Sequence, residues 1–129
     1  MSSDVFTPRS QADIAALIGE YPLAWVVSCG AEGQGATPLP LLAETDGEGR
    51  VVALFGHFAC RNPQVALLER QPRAMILFQG PHAYVSPRLV SNPTWGPTWN
   101  YAVLRFETEI MFVPEETQIA VERLARWLE

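Results

Sequence analysis

Three short blocks hold most of the side chains that could meet a ligand. They are Gly56-His57-Phe58-Ala59-Cys60-Arg61-Asn62-Pro63-Gln64, Gln79-Gly80-Pro81-His82-Ala83-Tyr84 and Pro97-Thr98-Trp99-Asn100-Tyr101. Each sets imidazole, guanidinium, amide or aromatic groups beside Gly and Pro, the composition of inter-strand loops shaped around a ligand. Both histidines lie in these blocks. His57 admits two readings, a hydrogen-bonded structural imidazole or a ligand. His82 follows the Gly80-Pro81 turn and either faces a ligand or pins that turn to backbone. Cys60 is close enough to His57 to suggest a thiol–imidazole pair, but no orienting third group or oxyanion loop accompanies it. Two His and two Cys without CxxC or HExxH spacing argue against structural zinc. A glycine-rich phosphate loop and a dinucleotide fingerprint are both missing from the sequence.

The surrounding elements follow from periodicity. Ser10-Gln11-Ala12-Asp13 reads as an N-cap with an acidic third residue, ahead of Ile14, Leu17 and Ile18 at helical spacing; Gly19 and Tyr21-Pro22 stop that helix. Leu23 to Cys29 is a buried strand and Gly30 to Gly35 a turn. Ala36 to Ala43 is extended, with Pro38 and Pro40 placing it at an edge or bulge. A hairpin at Thr45 to Gly49 returns through Arg50 to Gly56. Asn62 caps a short helix with Pro63 at its first position, ended by Gln71-Pro72. Arg73 to Gln79 and Ala83 to Ser86 are two further strands. Pro87 to Pro97 is a loop holding Pro93-Thr94-Trp95, and Thr98 to Phe112 is a long alternating strand. Pro114-Glu115-Glu116 opens a last helix with Ile119, Leu124 and Trp127-Leu128 on its apolar face. Six strands and three helices without a βαβ rhythm predict a mainly β (α+β) fold, a small antiparallel barrel with peripheral helices.

Size and charge bound the function. At 129 residues the chain is one domain, 1–129, able to bury roughly 65–70% of its unfolded surface. Apolar residues make up 48% and charged residues 18%, a surplus that a dimer interface would absorb. The net charge is −5 and there is no Lys among the nine cationic residues. Direct nucleic-acid binding is therefore not expected, because it rests on Lys and Arg neutralising phosphates. No signal peptide and no apolar run near the ~20 residues of a membrane span is apparent, so a cytoplasmic protein with reduced thiols is the expectation.

The three blocks, in this order, resemble the PaiB-type FMN-binding "negative transcriptional regulator" family, from about Phe6 to Met111. The resemblance implies an FMN-binding split β-barrel of the flavoprotein kind, forming homodimers with cofactor at the interface. On that reading Arg61, with Asn62 at a helix start, would take the phosphate, or is a solvated loop arginine beside a routine cap. Trp99 and Tyr101 would flank the isoalloxazine, with Thr37, Leu39 and Leu41 bordering it, or these residues pack the core. Gln79, His57, His82, Thr98 and Asn100 complete the implied cofactor set. The piperazate synthases, similar to this family, are haem enzymes; in that branch His57 is the position to test as axial ligand. One departure stands out: the family commonly has His where Pro38 stands. Three functions remain open, namely a flavin-dependent regulator or oxidoreductase-like protein, a haem enzyme, and a cofactor-free interaction domain.

Overall fold

The computed structural model describes residues 10–86, 88 and 96–128, with the side chains of residues 127 and 128 left aside. The Pro93-Thr94-Trp95 segment and the Trp127-Leu128 side chains thus lie outside the described residues. The chain runs α1 (Gln11–Glu20), β1 (Leu23–Gly30), β2 (Gly33–Pro40), β3 (Leu42–Thr45), β4 (Val51–Phe55), α2 (Pro63–Arg70), β5 (Arg73–Val85), β6 (Thr98–Glu109) and α3 (Thr117–Leu128). A 3-10 turn at Pro114–Glu116 leads into α3. Ser10 caps α1, its hydroxyl accepting the Asp13 amide at 3.3 Å. Asp46 shapes the β3–β4 turn by accepting the Glu48 and Arg50 amides at 2.8 and 3.0 Å.

Strands pair antiparallel in the order β2-β1-β5-β6, with β3-β4 as a second, two-stranded sheet. The two sheets are not joined into a closed barrel, as a split barrel requires. The inner face of the larger sheet carries Ala24, Val26, Leu39, Ala74, Ile76 and Phe78, which pack with Ile18, Leu41 and Leu68. Phe78 meets Phe106 edge-on at 6.0 Å. Burying a side chain of this kind stabilises the fold by roughly 1.5–3 kcal/mol.

The outer face is built from the alternate residues. One row across the four strands reads Pro38, Trp25, Leu77, Arg105, and the next reads Ala36, Val27, Met75, Glu107. Trp25 is 48% exposed, Val103 48% and Leu23 60%. Nothing in the described chain covers this apolar face.

Four boundaries differ from the sequence reading. Gly33 to Gly35 belong to β2 rather than to the preceding turn, because Gly30 pairs directly with Gly33 and leaves Ala31-Glu32 as a two-residue loop. The extended segment breaks after Pro40, where the Leu41 amide turns to the Pro22 carbonyl at 2.9 Å and its side chain enters the core. The two expected strands around Gly80-Pro81 are one, β5, whose register shifts between Gln79 and His82. A bulge there takes up one extra residue and lets the ladder resume. The last strand ends at Glu109, short of Phe112.

Candidate functional site

The segment from Gly56 to Asn62 leaves β4 beside the end of β2. A Cβ at Gly56 would lie 2.2 Å from Leu41 Cδ2 and 3.1 Å from the Pro40 carbonyl oxygen, so a larger residue would have to displace the buried Leu41 side chain. Phe58 anchors the segment by packing edge-on against Phe112 at 5.9 Å. Asn62 returns its amide to the Ala59 carbonyl at 3.0 Å. Between these ties, the amides of His57, Phe58, Ala59, Cys60 and Arg61 have no hydrogen-bond partner among the described residues. The Arg61 side chain is exposed and makes no ion pair there. These amides and the neighbouring guanidinium are donors of the kind an anion takes. The α2 start adds little, because it is already capped: Asn62 Oδ1 accepts the Gln64 amide at 2.9 Å, the Asn62 carbonyl accepts that of Val65 at 3.0 Å, and Pro63 has none.

Gln64, passed over in the sequence reading, fixes this segment to the sheet. It is 3% exposed, and its Nε2 donates to the Val26 carbonyl and the Ser28 hydroxyl, both at 3.0 Å. Its Oε1 accepts the Thr37 hydroxyl, which in turn accepts Asn62 Nδ2 at 2.9 Å. Thr37 and Asn62 therefore spend their side-chain hydrogen bonds on this frame. The signal was a Gln one position inside a Pro-initiated helix, where an exposed polar residue is the ordinary expectation.

Of the other predicted residues, Leu39 and Leu41 sit in the core at 9% and 5% exposure. His57 is half-buried, with no hydrogen bond among the described residues. His82, Trp99 and Tyr101 gather elsewhere, where β5 and β6 run on together beyond β1. The indole Nε1 of Trp99 donates to His82 Nδ1 at 3.1 Å, and the ring planes lie within 25° of each other. Tyr84 stands 6.3 Å from Trp99, ring to ring. Tyr101 pairs across the ladder with His82. Trp99, Tyr84 and Tyr101 are 52%, 54% and 69% exposed, an open aromatic surface on the outer side. Gln79 lies on the same side opposite Val103, whereas Thr98 and Asn100 alternate onto the reverse side. Two hollows of about 260 and 700 Å³ share Ser28, Cys29, Gln71 and Arg73 at the other end of the sheet. Neither touches the loop or the aromatic ribbon, and Arg73 beside Glu107 and Glu109 gives the larger one mixed charge.

With the geometry in place, the chain matches the model of the "Putative FMN-binding domain" family across residues 2–129. The chain belongs to this FMN-binding domain family. It is also similar to the "Protease synthase and sporulation protein PAI 2" of Bacillus subtilis (strain 168), 48% identical over 48 residues. That alignment covers 37% of this chain and 23% of the relative's length. Both support an FMN-binding, PaiB-like domain, with FMN as its cofactor. Donors of the kind a phosphate takes, the 57–61 amides without a partner among the described residues and the exposed Arg61 guanidinium, lie together on one loop. Among the described residues no cluster of three metal-ligating side chains occurs. Among the described residues no helix is long and apolar enough to cross a membrane.

Proposed function

We propose that this domain holds FMN by its phosphate on the His57–Arg61 loop and works as a homodimeric, cytoplasmic flavin-dependent regulator or oxidoreductase-like protein. The observation that carries the reading is the loop itself: five amides and a guanidinium without partners among the described residues, anchored by Phe58 and by the Gln64 frame. FMN supplies one- and two-electron transfer when bound; the chain's part is to grip the phosphate and orient the ring. Dimerisation is supported by the uncovered outer face with Leu23, Trp25 and Val103. The regulatory half of the reading rests on the family and on the sporulation-protein relative. With a net charge of −5, it acts through the flavin or a partner rather than by direct contact with nucleic acid.

Titrating purified protein with FMN and reading flavin fluorescence tests this. Wild type should bind and show the visible flavin spectrum. Arg61→Ala should weaken affinity by roughly 1.5–3 kcal/mol, or about 10- to 150-fold. Unchanged affinity rejects the phosphate role of Arg61. A Soret band in place of the flavin bands would transfer the site to haem and to His57.

A further inference from the structure

The direction of every hydrogen bond around Gln64 follows from one atom. The Val26 carbonyl only accepts, so the Gln64 amide presents Nε2 to it, at 3.0 Å. Oε1 then faces Thr37, and the one hydroxyl proton of Thr37 goes to that oxygen. Thr37 has a lone pair left to offer, so Asn62 presents Nδ2 to it, at 2.9 Å. Asn62 Oδ1 is thereby turned to the Gln64 backbone amide, also at 2.9 Å, and the ring of three residues closes. A ring with one permitted direction fixes the amide orientation of both Asn62 and Gln64.

The sheet leaves room for this ring at one place. Gly35 pairs with Ser28 and Thr37 with Val26 in the β1–β2 ladder, so the Gln64 amide lies over two consecutive inward pairs. A Cβ at Gly35 would meet Gln64 Cγ at 2.6 Å. Thr37 itself is half-buried beneath the loop.

The loop after Gly56 is held by two unlike ties. Phe58 against Phe112 is an apolar contact, which sets depth but not direction. Asn62, at the other end, is held in orientation: its side chain by the ring and its backbone amide by the Ala59 carbonyl at 3.0 Å. Cys60 and Arg61 lie between that carbonyl and Asn62, so the ring sets where their amides point.

We propose that Thr37 is a positioning residue for the FMN phosphate: it acts through Asn62 on the 59–61 turn and touches no part of the cofactor. This deepens the FMN reading above and rests on it. It differs from the role implied by the resemblance, in which Thr37 borders the isoalloxazine. The position needs one proton to give and one lone pair to receive; Ser has both, and Val has neither.

A double-mutant cycle on FMN affinity, read by flavin fluorescence, tests this. Thr37→Val keeps the branched shape and the strand preference of the side chain and opens the ring. Asn62→Ser keeps a helix N-cap but is too short to reach Thr37. Each should weaken FMN binding about ten-fold, the affinity equivalent of one hydrogen bond, with the unliganded fold retained by far-UV circular dichroism. The double variant should bind no more weakly than either single, because both open the same ring. Thr37→Ser should restore affinity close to that of wild type. Losses that multiply in the double variant overturn the proposal, since Thr37 then contacts the cofactor by itself. Wild-type affinity in Thr37→Val, or a Thr37→Ser protein as weak as Thr37→Val, overturns it as well. If Thr37→Val does not fold, Asn62→Ser decides alone: wild-type affinity there overturns the proposal. Wild type that takes up no FMN overturns the underlying reading instead.

Discussion

Replacing Gln64 with Leu keeps the side-chain volume and deletes every hydrogen bond the amide makes. Three groups lose a partner: the Val26 carbonyl, the Ser28 hydroxyl and the Thr37 hydroxyl. Ser28 is itself only 8% exposed, so water does not readily replace the amide. Stranding a buried polar group costs about 1–3 kcal/mol. Thr37 keeps its bond to Asn62 and the Val26 carbonyl its place in the β1–β2 ladder, so each is counted at half weight; with the apolar gain of Leu set against the sum, the net loss is roughly 3 kcal/mol. At a urea slope of about 2 kcal/mol per M, the midpoint should fall by about 1.5 M. Equilibrium urea unfolding, followed by tryptophan fluorescence and far-UV circular dichroism, measures it. A loss below about 1 kcal/mol would refute the reasoning, since it would mean that the partners rehydrate or re-pair and that the frame contributes little.

Other perturbations probe neighbouring parts. In Gly35→Ala the new Cβ would sit 2.6 Å from Gln64 Cγ, and the overpacking should cost roughly 1–3 kcal/mol; the same change in a Gln64→Ala background should cost clearly less, a coupling that a double-mutant cycle reads. Trp25→Glu places a charge at the centre of the outer face and should give monomer by light scattering, while a persisting dimer would move the interface elsewhere. Glu32→Ala breaks the exposed 2.9 Å pair with Arg70 and should change stability by less than about 0.5 kcal/mol, seen as a thermal midpoint within about 2 °C of wild type.

Local chemistry made much of the fold legible. Ser10 and Asn62 mark their helix starts because capping is decided by residues within one turn, and both caps form as their types dictate. Pro38 and Pro40 placed β2 at an edge, where it lies. Glycine misled in both directions. Gly33 and Gly35 suggest a turn, yet strand pairing across the sheet claims them; Gly80-Pro81 suggests a break, yet a bulge carries β5 through. Both outcomes depend on partners far along the chain, which local composition does not encode. The site divided in the same way. The exposed loop around Arg61 is readable because Gly, His and Arg beside Asn-Pro are unusual together. The structural duty of Thr37 and Asn62 was hidden, because it depends on a glutamine whose burial arises only when α2 packs on β1 and β2.

The two edges of the main sheet are unlike, and this limits how copies of the chain can associate. Along β2, Pro38 and Pro40 have no amide hydrogen to offer an incoming strand, while no described strand pairs with the outer edge of β6. Head-to-tail addition, β6 of one molecule onto β2 of the next, would propagate without end into a filament. The prolines withhold the donors such growth needs. What they leave open is association in which both molecules present the same surface, and such pairing terminates at two.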